Sequence, residues 1–497
     1  MKPSSLFLLI LIPASAFLAL LRFDSLQLGT SYDDAHYIIL AESLVSGEGY
    51  KLINFPRPQI ERNFPPGFPI LLAPFTLVFQ KNFEALKLVS LILWLASIPL
   101  VHKFFSKRLN SPGLEVLTAF VALNPLLIGS SVSVMSESAY VFFSLLALVV
   151  FDKTDDKKVG WLILAAILAF YSQQIRTIGI ALSASLLIYL ASTRRFRDFG
   201  IASFILILGF SLQAWFNLRN GGSVISSGYE AQVLGGSAME KISQVGSNVS
   251  GYFDQILAGS LIPIFGTRLD SILPAIFFVL NLAILLTIAG GLFAAKPKLE
   301  WMHLYFAIYL IGILAFWNPK VGSVKARFLI PILPFFYFYF LTGLNWAAEK
   351  LNARFAERGL IVVACIISII LLARNILDWR NPIREQMTDI SIGTSWIAEH
   401  APADAIVMVN EPVPAYVHVK RRTINFPKND QDLEKYLENQ GVDYIVVAPL
   451  LQSPGSTGLS KEVSQIDAEI QALPGRFELV FEDKGNNVRI FEYTSND

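Results

Sequence analysis

Apolar runs separated by charged or Gly/Pro-rich breaks recur along the first three quarters of the chain. They occupy residues 5–21, 84–105, 114–132, 136–151, 159–171, 177–192, 199–217, 272–295, 301–317, 328–347 and 359–374. Several are shorter than the roughly 20 residues of a perpendicular membrane helix, but the repetition predicts about 11 transmembrane helices. The first run, preceded by Lys2, reads as a span or as a signal peptide with a small-residue site near Ala14 to Ala16.

Two stretches break the pattern. Between the first two runs lies a polar island from Tyr32 to Pro69, YDDAHYIILAESLVSGEGYKLINFPRPQIERNFPPGFP. Its residues Tyr37, Leu40, Ala41 and Leu44 fall at i, i+3, i+4 and i+7, which predicts a short helix with one greasy face able to lie on a membrane surface. Asp33 and Asp34 stand in its first turn, Gly47 and Gly49 end it, and a Pro-rich segment carries Glu61 and Arg62 back to the next apolar run. From about Asp389 the composition becomes that of a soluble α/β module. SIGTSWIAEHAP and QDLEKYLENQG read as helices, and AIVMVN, DYIVVAP, ELVFED and VRIFEY as strands. The expected organisation is a membrane domain over 1–384, with external loops 22–83 and 218–271, followed by an extracytoplasmic α/β domain over 385–497. The Gly- and Ser-rich loop from Asn220 to Asp270, with an apolar cluster from Tyr252 to Leu261, reads as a lid or a partly re-entrant segment.

Charge orients the runs. With the N-terminus cytoplasmic, the inside loops hold Lys103, Lys107 and Arg108; Lys153, Lys157 and Lys158; Arg194, Arg195 and Arg197; Lys296 and Lys298; and Lys350, Arg354 and Arg358, as the positive-inside bias requires. An odd number of spans then places the C-terminus outside, in a cell (inner or plasma) membrane. Arg176, Arg219, Lys320, Lys325 and Arg327 go against the bias, at or beside the outer ends of runs. Any one of them fits a headgroup contact. As a set on the face that carries Asp33, they point to an anion site.

Composition narrows the classes. The 497 residues are 54% hydrophobic and 16% charged, with a net charge of +1, which argues against a nucleic-acid partner, since phosphate-backbone binding needs a concentrated basic surface. The single Cys365 excludes an internal disulfide. The five histidines lack the HExxH-type spacing of a zinc hydrolase. No repeat suggests inverted transporter halves.

The first run, the YDDAHY helix, the Gly-rich break and NFPPGFPILLAP together resemble the first external loop of GT-C glycosyltransferases, protein O-mannosyltransferases and lipid A aminoarabinose transferases in particular. Those enzymes carry a DExxY motif and a Pro-Pro motif. Here the pair reads Asp33-Asp34-Ala-His-Tyr37, and the ionic residues that some relatives keep before Pro-Pro are Asn63 and Phe64. LNPLLIGSSVSVMSESAY with Glu137, QIRTIGI with Arg176, WFNLRNGG with Arg219 and ARFLIPILPFF with Arg327 extend the resemblance over most of residues 1–350.

The resemblance implies an inverting glycosyltransferase that moves a hexosyl or pentosyl group from a polyprenyl-phosphate donor to a lipid, protein or glycan acceptor of the cell envelope. A phosphodiester leaves without acid assistance, so one carboxylate serves as general base, unlike the flanking pair of a glycosidase. The implied base is Asp33, with Asp34 and Glu137 supporting it. Arg176, Arg219, Lys325 and Arg327 are the implied phosphate ligands. A divalent metal ion is an open expectation, with Asp33, His36 and Glu61 as candidate ligands. For Asp33 and Asp34 the competing reading is a pair of acids favoured by the helix dipole, worth about 0.3–1 kcal/mol. The aromatic run at 335–340 is expected to face lipid, pack internally or wall a lipid tail. The alternative functions are a transporter or flippase for an anionic lipid-linked substrate, which would place charges deep within spans, and a sensor, which leaves Asp33 without a purpose.

Overall fold

The computed structural model describes residues 3–80, 82–154, 158–219, 237–253, 257–263, 274–295, 299–317, 325–350, 356–381, 392–428, 431–449, 458–473 and 475–494. Lys320, the 384/385 boundary and residues 220–236, 254–256 and 264–270 of the long loop lie outside the described residues.

In chain order the helices are α1 (Pro3–Leu21), α2 (Asp33–Val45), α3 (Gly67–Phe79), α4 (Lys87–Phe105), α5 (Gly113–Leu123), α6 (Pro125–Ser131), α7 (Ser136–Phe151), α8 (Val159–Ile175), α9 (Ile180–Ser192), α10 (Phe196–Arg219), α11 (Ala238–Gly251), α12 (Leu257–Leu261), α13 (Pro274–Ala294), α14 (Trp301–Phe316), α15 (Leu333–Lys350) and α16 (Ala356–Arg380). All eleven apolar runs are helical. Five stretches, Phe83–Phe105, Phe196–Arg219, Pro274–Ala294, Ala326–Lys350 and Ile361–Arg380, are long and apolar enough to cross a membrane, and α5 with α6 adds a sixth if both belong to one span. The remaining runs form shorter apolar helices. Helices of this number and composition make a multi-pass membrane protein.

The run at 114–132, read as one segment, is bent by 50° between α5 and α6. Pro125 supplies no N–H and pushes Asn124 into extended geometry (ψ 122°). The Asn124 side chain repairs the break, accepting from the amides of Leu126 and Leu127 and donating to the Ser260 carbonyl and the Tyr337 hydroxyl. Helices α13 and α15 touch backbone to backbone because Gly291 lies on Tyr339 and Gly343 on Thr287, where a Cβ would collide with a carbonyl. The aromatic run Phe335–Phe340 on α15 is buried throughout and faces the core rather than lipid. Its hydroxyls are satisfied: Tyr337 donates to the Leu261 carbonyl, and Tyr339 pairs with His303 at 2.6 Å.

The two ends of the bundle differ. Lys87, at the start of α4, donates to the carbonyls of Phe23 and Leu26 in the α1–α2 turn. Beyond the other end of α4, Arg108 binds both oxygens of Asp152 at 2.9 Å and also Glu300, and so ties three connections together.

Residues after 391 build a five-stranded sheet of order β4-β3-β5-β7-β6, with β3 (Ile406–Met408), β4 (Arg422–Ile424) and β5 (Tyr444–Val447) parallel, and β6 (Phe477–Asp483) and β7 (Val488–Tyr493) antiparallel. A small ribbon, β1 (Lys51–Leu52) with β2 (Gln59–Ile60), lies between α2 and α3. Helices α17 (Thr394–His400), α18 (Pro412–Val419), α19 (Leu433–Gln440) and α20 (Lys461–Ala472) accompany the sheet. One apolar core holds Ile397, Val407, Val446 and Ile490, and the other Met408, Leu437, Ile445 and Ile466, so both faces of the sheet are covered. Strand β4 and helices α18 and α20 are absent from the sequence reading. The prolines of PVPAYVHV argue against a helix, yet both fall in its first turn, where no intrahelical N–H is needed.

Helix α18 joins the two parts of the chain. Val413 and Val417 belong to the core of the helical bundle, whereas Ala415 and Val419 belong to that of the sheet. Helix α2 is its partner. The sequence gives α2 one greasy face, but Asp34 through Ala41 are all buried, because α3 covers one side and α18 another. It is an internal helix rather than one resting on the membrane surface.

Candidate active site

The turn before α2 is tightly wired. Tyr32 caps the helix at φ 63°, ψ −49°, left-handed φ space that costs a non-glycine residue about 1–3 kcal/mol. His36 Nδ1 donates to the Tyr32 carbonyl at 3.0 Å, and its ring stacks on Phe64 at 4.4 Å. The Asp34 carboxylate folds back, accepting from the Gly29 amide at 2.8 Å and the Ala35 amide at 2.9 Å.

Asp33, beside it, points the other way and reaches Arg327 at 2.9 Å; both side chains are about one-third exposed. Arg327 stands in the 3₁₀ segment Ala326–Ile332 that leads into α15. It lines a cavity of about 360 Å³ together with Ser31, Glu137, Arg22, Arg374 and Asp378. Arg22, at the end of α1, donates to the Pro125 carbonyl at 2.9 Å and lies 3.4 Å from Asp378, which also holds Arg374 at 2.8 Å.

A second pair sits deeper. Glu137, in the first turn of α7, is 1% exposed and lies 2.6 Å from Arg176. Arg176 occupies an extended break between α8 and the 3₁₀ turn Thr177–Gly179. It donates to Ser136 Oγ at 3.0 Å, and that hydroxyl meets Tyr37 Oη at 3.2 Å. Tyr37 lies one turn beyond Asp33 on α2, and Glu137 lines the same cavity as Arg327, so the two carboxylate–guanidinium pairs are neighbours.

The other candidates from the sequence have different surroundings. Glu61 is buried and caps its own turn, accepting from the amides of Arg62, Asn63 and Phe64. His36 is occupied by Tyr32 and Phe64. Asp33, His36 and Glu61 therefore do not form a ligand set, and no group of three His, Cys, Asp or Glu side chains able to hold a metal ion occurs among the described residues. Lys325 is exposed just before the 3₁₀ segment. Arg219 is exposed at the end of α10 with its guanidinium over its own Trp215 ring, 5.4 Å away; no described contact joins it to the cluster. Arg22, Arg374 and Asp378 escape the sequence reading, because a charge next to an apolar run reads as an ordinary flank. Their signal was Arg374 and Asp378 at i, i+4 beside the last run.

No family model matches the sequence, and no curated protein does. Solved structures do. ArnT from Cupriavidus metallidurans in the apo state aligns with TM-score 0.63 at 11% identity, covering 99% of this chain and 98% of that one. The same protein bound to undecaprenyl phosphate aligns with TM-score 0.59 at 11% identity, covering 97% of each chain. The chain has the GT-C glycosyltransferase fold. The oligosaccharyltransferase of Archaeoglobus fulgidus, tethered with an acceptor peptide, shares it with TM-score 0.56 at 13% identity, over 99% of this chain and 74% of that one. At these identities the likeness is one of fold, and the chemistry rests on the residues above. Asp33 of the first acid–arginine pair lies on α2, against which α18 packs, and the second pair reaches α2 through Ser136 and Tyr37.

Burial lifts the Asp34 carboxyl to about 6; the Gly29 and Ala35 amides oppose the rise and the Asp33 charge adds to it. A carboxyl with a higher pKa folded than unfolded stabilises fully below its unfolded value, and that contribution is lost as pH rises through the folded value. Stability is therefore expected to fall between about pH 4 and about pH 6, by on the order of 3 kcal/mol. Unfolding temperatures in detergent across that window should show the slope in the wild type and not in Asp34→Asn. An identical slope in both would assign it to another group.

Proposed function

We propose that the protein is an inverting glycosyltransferase that moves a sugar from a polyprenyl-phosphate donor to a hydroxyl or amine of a lipid, protein or glycan acceptor on the extracytoplasmic face of the membrane. The observation that carries the reading is the Asp33–Arg327 pair at the rim of a cavity that also holds Arg22 and Arg374. In the absence of substrate, Asp33 and Arg327 neutralise each other. A donor phosphate takes over Arg327, and Asp33 is released to accept the acceptor proton. As the acceptor oxygen or nitrogen bonds to the anomeric carbon, the bond from that carbon to the phosphate oxygen breaks and its electrons leave with the polyprenyl phosphate. Arginines that bind the growing negative charge more tightly than the ground-state diester lower the barrier. The undecaprenyl phosphate in the ArnT structure and the dolichol-phosphate in an archaeal oligosaccharyltransferase complex support this donor class.

The first experiment is transfer by the purified chain in lipid vesicles, following release of polyprenyl phosphate from polyprenyl-phosphate sugars. Donor translocation without bond cleavage would overturn the proposal in favour of a flippase. Arg327→Ala is expected to raise the KM for the donor about 10–100-fold, the loss of one charge-assisted phosphate contact. An unchanged donor dependence would remove Arg327 from the phosphate site.

A further inference from the structure

Three arginines line the cavity, and they come from different elements. Arg327 enters it from the 3₁₀ segment before α15, Arg22 from the end of α1 and Arg374 from α16. Helix α6 packs against both the 3₁₀ segment and α16. Arg22 is seated on this helix. It donates to the Pro125 carbonyl at 2.9 Å and to Asn375 Oδ1 at 3.2 Å, and the Asn375 amide group is fixed in turn by the Leu123 and Leu371 carbonyls. Its Nη2 lies against Gly129, where a Cβ would come within 3.0 Å.

Charge is unbalanced at this seat. Arg327 has Asp33 and Arg176 has Glu137, one carboxylate to each cation. Arg22 and Arg374 share Asp378, at 3.4 and 2.8 Å, so one positive charge is left over among the described residues. Arg22 Nε is also buried without a hydrogen-bond partner among them. A guanidinium only 12% exposed, with an unused donor and a shared counter-ion, carries a desolvation cost that its present contacts do not fully offset. A phosphate meets both deficits at once, because it brings negative charge and several oxygens to the paired donors of an arginine.

We propose that Arg22 and Arg374 form a second phosphate subsite of the cavity, separate from Arg327, so that the two substrates together bring two phosphate groups to it. The proposal rests on the glycosyltransferase reading above. The second phosphate belongs either to the acceptor or to a donor whose lipid ends in a diphosphate, and both present the same anion to the arginines.

An ion cluster that only ties α1 to α16 would be weakened by removing a charge of either sign and would change no ligand. A subsite answers the two signs in opposite directions. The full chain in phosphatidylcholine nanodiscs, saturated with undecaprenyl phosphate, is titrated with inorganic phosphate by calorimetry. Phosphate is expected to bind the saturated wild type, to bind Arg374→Gln about 10-fold more weakly and to bind Asp378→Asn about 10-fold more tightly, the usual size of one charge-assisted contact. Arg22→Lys keeps the charge but loses the fork, and should weaken phosphate about as much as Arg374→Gln. The affinity for undecaprenyl phosphate should move less than about threefold in these variants. Saturation with undecaprenyl diphosphate tells the sources apart: no phosphate binding on top of it assigns the second phosphate to the donor, and undiminished binding assigns it to the acceptor.

Phosphate that competes with undecaprenyl phosphate, that fails to bind the saturated wild type, or that binds wild type, Arg374→Gln and Asp378→Asn alike would overturn the subsite. A wild type that binds phosphate but no undecaprenyl phosphate would instead overturn the donor reading. Should Arg22→Lys fail to fold, the opposite signs of Arg374→Gln and Asp378→Asn still decide.

Discussion

Asp33→Asn is expected to reduce sugar transfer by about 10²–10⁴-fold, the usual range for loss of a general base, with normal membrane insertion. Asparagine has nearly the same shape and keeps an oxygen near Arg327, but it cannot take the proton released when the acceptor attacks. The cost to the fold is small: the Asp33–Arg327 pair is about one-third exposed, and pairs of that kind contribute roughly 0–1 kcal/mol. Transfer measured at saturating donor and acceptor, beside the unfolding temperature of the same sample, separates the two effects. Full transfer by Asp33→Asn would exclude Asp33 as the base. A matching loss of folded protein would make the residue structural.

The neighbouring acid illustrates what the sequence leaves open. Asp33 and Asp34 stand in the same helical turn, and only the resemblance to DExxY distinguishes them in YDDAHY. In the fold the left-handed φ at Tyr32 does, because it turns the chain so that one carboxylate faces Arg327 and the other returns to the Gly29 amide. That conformation is held by the turn itself, with the Tyr32 amide on the Gly29 carbonyl, the Asp33 amide on the Ser31 carbonyl and the His36 ring on the Tyr32 carbonyl. The apolar runs were legible because each is a local property of composition. The break at Asn124 was legible only in part: Pro125 marks it, while the partners that repair it come from Ser260 and Tyr337.

Among the cations, charge bias pointed to Arg176 and Arg327, and each has a carboxylate partner in the fold. The same bias also pointed to Arg219, which the fold leaves over Trp215. It passed over Arg22 and Arg374, whose contribution arises only when the ends of the first and last helices come together around Asp378. Pairings of that kind are set by packing and carry little signature in the local sequence.

Arg176→Ala is expected to be the most damaging single change to stability. It would leave the Glu137 carboxylate 1% exposed, and Arg176 is the ion-pair partner of oxygens that have no hydrogen-bond partner among the described residues. Breaking a buried pair from one side costs about 3–5 kcal/mol, whereas replacing both partners with apolar residues of similar volume is often neutral. The double variant Arg176→Met/Glu137→Leu should therefore recover most of the yield and unfolding temperature that the single variant loses. Its transfer rate then answers a question that stability cannot. If the pair only holds α7 against α8, the refolded double variant will transfer sugar at close to the wild-type rate. If a donor phosphate draws on Arg176 as its charge develops, the double variant will fold and remain inactive, and that is the expected result.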